Sequence, residues 1–196
     1  MKTAISYGKG VLNLNLPDNT SIIQPKFRKG LENPKESIKK SLKTPINSDP
    51  LKNKLKKNRT VAISVCDITR AQPRKLILEV IIEEIRDVID PKNIVILIAT
   101  GTHRENTKSE ILTMLGPEIP KTCRVINHNA RGQQSLSYLG KMGKNVPVYL
   151  NKIWLEADYR ITTGFVEPHF FAGFSGGPKM VSPGLAGIET VLILHN

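Results

Sequence analysis

The sequence has few of the residues that mark several common classes of protein. It contains two cysteines, Cys66 and Cys123, which stand far apart and in no C-x-x-C spacing. Because disulfide scaffolds and cysteine-based zinc sites need more cysteines at closer spacing, we expect two reduced, buried thiols. No apolar run approaches the roughly 18 residues of a transmembrane helix, and the amino terminus lacks the apolar stretch of a secretory signal. The predicted location is the cytoplasm.

Acidic residues are scarce in the first part of the chain. The whole sequence has 29 Lys and Arg against 17 Asp and Glu, for a net charge of +12, and residues 1–60 alone have 14 against 4. Hardly any aromatic residue lies between these basic residues, so the stacking of bases is not supported. We therefore interpret the excess as a lysine-rich solvated surface, or next as an attractor of small anions. Nucleic-acid binding through residues 26–59 is the weakest interpretation.

Alternation of apolar and polar residues marks the amino-terminal segment. VLNLNL and SIIQP flank the turn residues PDNT, which predicts a two-stranded hairpin in the first 25 residues. Residues 34–43 predict a short helix, and residues 50–57 a second, basic one. We predict a first domain of residues 1–58 that consists of this hairpin and the basic helical segment.

From residue 60 onward, apolar strands alternate with helices. Apolar runs predict strands in TVAISV, NIVILI, CRVIN and YRITT, and helical periodicity occurs between them in PRKLILEVIIEEIRDVI and TKSEILTMLG. Strands that are apolar throughout are typical of a parallel sheet covered on both faces. We predict an α/β core over residues 59–196, with a Rossmann-like, mostly parallel sheet flanked by helices.

Polar segments follow three of these strands, at the carboxyl edge where open α/β sheets bind ligands. CDITR contains Asp67 and Arg70, and ATGTHR contains His103. An arginine fork suits a carboxylate or phosphate, and Asp67 could orient Arg70 or a nearby imidazole. A histidine here is suited to proton transfer near neutral pH. A helix cap with a surface ion pair for CDITR, and an ordinary loop position for His103, are the alternatives that the sequence leaves open.

The third segment, GFVEPHFFAGFSGGPK, has the most unusual composition. Six of the 14 glycines lie in the last 33 residues, and four of the five phenylalanines lie between Phe165 and Phe174. Glycines let a backbone approach a ligand, and phenylalanines can enclose an apolar pocket. Lys179 is predicted to contact a phosphate or to act as a covalent nucleophile. Neither a Walker loop nor G-x-G-x-x-G is present. The alternative is a glycine-rich turn with an exposed lysine and core phenylalanines.

Two more histidines lie outside these segments. If His195 faces the pocket, its imidazole could bind a borderline metal such as nickel, copper or zinc, and a plain helix position is the alternative. His128, in VINHN, is predicted to be structural. GIETVLILHN has the pattern of an amphipathic helix whose apolar stripe needs a cover, so we expect an amino-terminal portion of a longer protein.

CDITR, ATGTHR and above all EPHFFAGFSGGPKMVSPGLAGIETVLILHN closely resemble the amino-terminal domain of the nickel-dependent lactate racemase family. The similarity extends along nearly all 196 residues. The resemblance implies a nickel-pincer nucleotide, which is a pyridinium mononucleotide with two sulfur substituents that bind nickel. It also implies a 2-hydroxy acid as substrate and cofactor biosynthesis proteins as partners. The family's carboxyl-terminal domain is absent from this fragment, which could therefore be inactive.

The resemblance also assigns roles to individual residues. It implies acid/base catalysis by His103 and His169, substrate binding by Arg70 and Asp67, covalent attachment of the cofactor to Lys179, cofactor contacts from Phe171, Ser175, Gly176 and Gly177, and nickel binding by His195. The implied activity is that of a racemase or epimerase of 2-hydroxy acids, lactate by default, that works by proton-coupled hydride transfer. A noncatalytic nucleotide- or phosphate-binding module is the alternative.

Overall fold

The structure of the chain is a computed structural model that describes residues 1–24, 26–143, 145–170 and 172–194. Contacts divide the chain into two compact units, one of residues 1–32 and one that begins at Asn33.

The first unit contains a β-hairpin. β1 (Lys2–Tyr7) pairs antiparallel with β2 (Gly10–Asn15). Gly8 lies in the turn with a φ of +58°, a conformation that glycine adopts without strain. The predicted hairpin is confirmed, but its strands are different, because VLNLNL is the second strand and PDNT follows it. The two-residue loop Gly8–Lys9 closes a tighter hairpin than PDNT would.

The second unit begins with two short helices, α1 (Pro34–Lys43) and α2 (Leu51–Lys54). Leu42 and Leu51 pack against the core of the α/β body. Lys39 donates a hydrogen bond to Glu83 at 3.1 Å, so part of the basic charge of α1 is neutralised inside this unit. By contacts, these helices belong with the α/β body, whereas the predicted first domain placed them with the hairpin.

The other elements of the second unit are, in chain order, β3 (Val61–Cys66), α3 (Arg74–Ile85), β4 (Ile94–Ala99), α4 (Lys108–Leu115), α5 (Glu118–Thr122), β5 (Arg124–Asn127), β6 (Leu136–Met142), β7 (Val146–Asn151), α6 (Lys152–Glu156), β8 (Tyr159–Thr162), β9 (Pro168–His169), β10 (Gly173–Phe174) and α7 (Ile188–Leu194). β3, β4, β5 and β8 form a parallel sheet in the order β5-β4-β3-β8. The predicted α/β fold with an N-terminal hairpin is confirmed.

The core lies on both faces of this sheet. All six residues of β3 are buried, as expected of a central parallel strand. Ile63 packs in a cluster with Leu78 of α3 and Leu115 of α4, and Ala62, the neighbouring residue, packs with Trp154 of α6. Each fully buried Leu or Ile contributes about 1.5–3 kcal/mol relative to an exposed one. These two clusters hold the ends of the strands, and the loops that follow them, in fixed positions.

The strand order reverses at β3. The chain moves outward from β3 to β4 and β5, and then returns to β8 on the other side of β3. Ligands of open α/β sheets bind outside the carboxyl ends of the strands at such a reversal. The fold therefore brings the loops after β3, β4 and β8 to the edge where a site is expected.

β6 and β7 form a second antiparallel hairpin that the sequence did not predict. The rings of Tyr138 and Tyr149 lie 4.9 Å apart across it, and Thr190 of α7 accepts a hydrogen bond from Tyr149 N at 2.9 Å. The glycines and lysines of LGKMGK conceal the strand pattern, because they interrupt the alternation of apolar residues. Among the described residues, no helix is long and apolar enough to cross a membrane.

Candidate active site

The loops after β3, β4 and β8 enclose a cavity of about 330 Å³ at the carboxyl edge of the sheet. Seven of the predicted site residues line it, namely Asp67, Arg70, His103, His169, Ser175, Gly176 and Lys179. Residues that are up to 112 positions apart in the sequence, from Asp67 to Lys179, thus meet at one place. Gly177 is not among the residues that line the cavity, but it lies next to Gly176 and has open space at the position of a Cβ.

His103 is bonded to Asp67. Its Nδ1 lies 2.6 Å from Oδ2 of Asp67, whose side chain is only 5% exposed, while the His103 side chain is 48% exposed. A carboxylate can only accept a hydrogen bond, so Nδ1 carries the proton and Nε2 of the neutral ring has a free lone pair. The sequence placed Asp67 with the substrate-binding Arg70 or with an imidazole, and the structure pairs it with the imidazole.

The other oxygen of Asp67 binds its own loop. Oδ1 of Asp67 accepts hydrogen bonds from Thr69 N at 3.1 Å and from Thr69 Oγ1 at 2.6 Å. This arrangement fixes the carboxylate in one orientation, with Oδ2 directed at His103. The loop after β3 therefore holds Oδ1 of Asp67, while His103 in the loop after β4 binds Oδ2.

A buried arginine, Arg74, supports the loop after β3, although its position in the sequence does not mark it as a site residue. Arg74 is 7% exposed, and its guanidinium donates to the carbonyl oxygens of Cys66, Asp67, Arg70 and Gln72. It forms no ion pair with a carboxylate in the described part of the chain. Burial lowers the pKa of Arg74 from its usual value. Four carbonyl groups that would otherwise need water are thus satisfied by one side chain.

Gln72 connects the same loop to β8. Its Oε1 accepts from Cys66 N at 2.8 Å, and its Nε2 donates to Thr163 Oγ1 at 2.9 Å. Thr163 in turn donates its hydroxyl to Ser64 O at 2.8 Å. This buried chain of hydrogen bonds fixes the loops after β3 and β8 relative to each other.

Arg70 lines the cavity and is half-buried. Its Nη1 donates to Thr69 Oγ1 at 3.3 Å, and it makes no salt bridge with any of the described carboxylates. A guanidinium with most of its donors unused can bind a carboxylate or a phosphate with two parallel hydrogen bonds.

Lys179 lies in a short 3₁₀ turn, Gly177–Met180, and lines the same cavity. Burial lowers the pKa of its amine, and the positive charge of Arg70 lowers that pKa further, while Glu167 acts in the opposite direction. A lowered pKa increases the fraction of unprotonated amine at neutral pH. Partial burial next to a positive charge is an environment that favours a nucleophilic lysine.

His169 ends β9 and lines the cavity from the side of the β9–β10 hairpin. Ala172 N donates to Nδ1 of His169 at 3.2 Å. Because Nδ1 accepts this hydrogen bond, the neutral ring carries its proton on Nε2, which is the opposite tautomer to that of His103.

Two of the described phenylalanines near the cavity are exposed. Phe170 lines the cavity but is 93% exposed, and Phe174 is 65% exposed. Phe171, which was predicted to contact the cofactor, lies outside the described residues. The β9–β10 hairpin has two residues per strand and leaves the rings of Phe170 and Phe174 exposed.

Ser175 and Gly176 shape the loop. The hydroxyl of Ser175 donates to Phe165 O and accepts from Glu167 N, so backbone groups occupy it. Gly176 has a φ of +73° and passes so close to Gly164 that a Cβ on Gly164 would lie 2.8 Å from the Gly176 Cα. Both residues were predicted to bind cofactor, and that role stays a prediction. In the structure, the Ser175 hydroxyl binds backbone groups of its own loop, and the Gly176 backbone lies close to that of Gly164.

A metal centre is not formed by the described residues. No group of three His, Cys, Asp or Glu side chains converges among them. His195, the predicted nickel ligand, lies outside the described residues. Cys66 and Cys123 are free, buried thiols, as predicted. Cys66 lines the cavity 3.6 Å from the sulfur of Met180, and burial raises the pKa of its thiol.

His128 is structural, as predicted. It is 1% exposed, its Nε2 bonds Ala186 O at 2.9 Å, and its Nδ1 accepts from Asn151 at 3.1 Å. Burial lowers the pKa of His128. It supports the segment that follows Lys179 and does not reach the cavity.

This chain is similar to known proteins along most of its length. The sequence profile of the lactate racemase N-terminal domain matches residues 7–196. Lactate racemase from Thermoanaerobacterium thermosaccharolyticum is 33% identical over 195 residues, or 97% of this chain and 46% of that protein. Lactate racemase from Lactiplantibacillus plantarum is 35% identical over 161 residues, or 82% of this chain and 38% of that protein. The chain thus spans less than half the length of these curated relatives.

Solved structures show the same similarity. The lactate racemase apoprotein from Thermoanaerobacterium thermosaccharolyticum superimposes with a TM-score of 0.80 at 32% identity, over 98% of this chain and 45% of that chain. A crystal structure of a protein from Thermotoga maritima shares the fold, with a TM-score of 0.70 at 24% identity over 82% of this chain and 40% of that one. Since the family profile matches nearly the entire sequence, this chain belongs to the lactate racemase N-terminal domain family.

Proposed function

We propose that this chain is the cofactor-bearing, catalytic amino-terminal part of an enzyme that interconverts the enantiomers of a 2-hydroxy acid. Lactate is the default substrate, because two curated relatives are lactate racemases. The chain spans less than half the length of those relatives, so the proposed activity is that of the complete gene product.

One observation carries the proposal: two histidines, an arginine and a half-buried lysine line a single cavity. Racemisation at C2 requires the C2–H bond to break and to re-form on the other face. When hydrogen leaves C2 as a hydride, as proposed here, the hydroxyl proton must also leave and return. Two imidazoles in one cavity supply acid and base near neutral pH, and the arginine supplies a partner for the substrate carboxylate.

His103 is the better-defined base of the two. Asp67 holds the proton of the neutral ring on Nδ1, so Nε2 can accept the hydroxyl proton of the substrate. Asp67 then stabilises the imidazolium that forms, because the negative carboxylate lies 2.6 Å from Nδ1. Asp67 is thus proposed to orient His103 rather than to touch the substrate.

His169 has the complementary state. With Nδ1 accepting from Ala172 N, its neutral ring presents a proton on Nε2. We propose that the protonated His169 ring donates from Nε2 to the substrate oxygen when the opposite enantiomer forms. The remaining proton is then on Nδ1, so this step requires release of the Ala172 hydrogen bond, and the neutral ring left behind can accept a proton on Nε2 in the reverse direction.

The family implies a nickel-pincer nucleotide, and the residues around Lys179 fit such a group. The Lys179 amine lines the cavity with a lowered pKa, which favours covalent attachment. Arg70 lines the same cavity and offers unused donors for a negatively charged group. When bound, the nucleotide would supply the hydride acceptor and donor that the reaction at C2 requires. The assignment of His195 as a nickel ligand stays a prediction.

The experiment is co-expression of the chain with the cofactor biosynthesis proteins of a lactate racemase, which we propose as its partners. The proposal expects a mass increase on the Lys179 peptide and bound nickel in the wild type. It expects neither in Lys179→Ala. Lys108→Ala, a change at an exposed lysine, is the matched control and should load normally. In the complete gene product, interconversion of D- and L-lactate should disappear in His103→Gln.

A noncatalytic phosphate-binding module is the second candidate, because Arg70 and Lys179 lie close enough for one charge to lower the pKa of the other. Tight binding of a nucleotide to the isolated chain, unchanged in His103→Gln and His169→Gln, would favour it. An unmodified Lys179 and an inactive complete gene product would rule out the racemase. We keep the cytoplasm as the proposed location, since both cysteines are free thiols.

A further inference from the structure

Two asparagine side chains connect the loop after β4 to the end of β5. Asn127 Oδ1 accepts from Asn106 N at 3.0 Å, and Asn127 Nδ2 donates to Asn106 O at 2.9 Å. Asn106 Nδ2 also donates to Asn127 Oδ1 at 3.0 Å. The Asn127 side chain, at the end of β5, therefore binds both the N–H and the C=O of Asn106. A residue of a neighbouring β-strand would make the same pair of hydrogen bonds.

Asn106 continues this connection to the loop after β3. Its Oδ1 accepts from Ile68 N at 3.1 Å. Ile68 follows Asp67 directly, and His103 lies three residues before Asn106. Asn106 thus spans the two loops that carry the partners of the 2.6 Å His103–Asp67 hydrogen bond.

The chemistry of the partners fixes both amides in one orientation. A backbone N–H only donates and a carbonyl only accepts, so Asn127 must direct its oxygen at Asn106 N and its nitrogen at Asn106 O. Asn106 is only 5% exposed, so its polar groups depend mainly on these protein partners. Aspartate at position 127 has the same shape, but it can only accept and would place a carboxylate against a carbonyl oxygen.

We propose that Asn106 and Asn127 are positioning residues that set the geometry of the His103–Asp67 pair. Neither lines the cavity, so their effect is transmitted through the two loops. The effect on rate rests on the proposed function, while the effect on the His103 ring does not. A displacement of a catalytic group by about 1 Å is enough to lower kcat by roughly 100-fold.

The test is made on this chain with the variants Asn127→Asp and Asn127→Ala. The readout is the NMR signal of the His103 Nδ1–H proton, which a short bond to a carboxylate shifts far downfield, and which is assigned by its loss in His103→Gln. Asn127→Ala leaves space for water and is the variant expected to fold with the smaller cost. Asp158→Ala is the matched control, because Asp158 binds Thr60 N at 2.8 Å at the opposite edge of the sheet.

Both Asn127 variants should weaken the His103 signal or shift it upfield, while Asp158→Ala should retain it at a comparable loss of stability. In the complete gene product, we expect kcat to fall about 100-fold in the Asn127 variants with little change in KM. An unchanged His103 signal in the folded Asn127 variants overturns the inference. If the wild-type product is not a racemase, the proposed function fails, and the His103 signal still decides the positioning role.

Discussion

Replacing Asp67 by asparagine should abolish the proposed base function of His103 while keeping the shape of the site. Asp67 Oδ1 accepts from Thr69 N, so the carbonyl oxygen of an asparagine must occupy that position. Its NH₂ group then takes the place of Oδ2 and donates to His103 Nδ1. The imidazole is forced into the tautomer with its proton on Nε2, and Nε2 can no longer accept the substrate proton.

The size of the effect follows from these contacts. The reversed amide orientation would set NH₂ against Thr69 N–H and leave a part-buried donor without its acceptor, at a cost of about 1 kcal/mol. The wrong tautomer therefore dominates. Forcing the wrong tautomer on a catalytic histidine by the same Asp-to-Asn change lowers kcat by about 10⁴-fold in a serine protease. That factor corresponds to about 5.5 kcal/mol of transition-state stabilisation.

Two assays check this prediction. In this chain, ¹⁵N NMR of the His103 ring should show the proton on Nδ1 in the wild type and on Nε2 in Asp67→Asn. In the complete gene product, kcat should fall by about 10⁴-fold. Asp158→Asn makes the same chemical change at the opposite edge of the sheet and should alter neither result. A variant that keeps the proton on Nδ1, or that keeps full activity, would refute the reasoning.

Three further predictions test other contacts. Arg70→Met should raise the pKa of Lys179 and slow its labelling by an amine reagent at fixed pH, whereas Glu167→Gln should speed the labelling. The rates are measured against exposed Lys108 in the same sample. Equal rates in both variants would contradict the influence of these two charges on Lys179. The pKa of His128 is lowered in the fold, so the unfolded chain binds more protons, and stability should fall as pH drops below about 6.5, by at most about 1.4 kcal/mol per pH unit. Urea unfolding at several pH values should show that His128→Gln lacks this component, and an identical pH slope would argue against it. Gly184→Ala places a Cβ 2.6 Å from Met180 O and should lower the free energy of unfolding in urea by about 1–3 kcal/mol. Gly30→Ala meets nothing within 4 Å and should lower it far less. Equal stability of the two variants would disprove the clash.

The parallel sheet was predictable because its two central strands are almost entirely apolar. A strand buried on both faces needs mostly apolar residues, and this pattern identifies β3 and β4 without any knowledge of their partners. The position of the site followed from the same reasoning, since polar segments after such strands meet at one edge. The β6–β7 hairpin could not be predicted in this way, because Gly140, Gly143 and the lysines around them interrupt its alternation.

The residues that hold the site in place were harder to identify than those that line it. Arg74 lies in the first turn of α3, where a charged residue normally faces solvent, and only the folded loop shows its four carbonyl partners. Asn106 and Asn127 are 21 positions apart and have no spacing that marks a motif. Their partners are backbone groups, which carry no signal in the sequence. The pairing of Asp67 with His103, rather than with Arg70, is likewise a property of two loops that only the fold brings together.

The charge of Lys179 decides which ligand the cavity prefers. Arg70 and Lys179 are its cations, and Asp67, committed to His103, is the carboxylate among the residues that line it. With Lys179 protonated, two positive charges attract a phosphate group. If an acyl bond forms at the Lys179 nitrogen, that charge disappears, and Arg70 alone faces the substrate with the geometry of a carboxylate partner. Burial and Arg70 both lower the pKa of Lys179, so they favour the neutral amine that such a bond requires. The cavity therefore suits a monocarboxylate once Lys179 is modified and Arg70 is the remaining cation. It suits a phosphate only while both residues are charged.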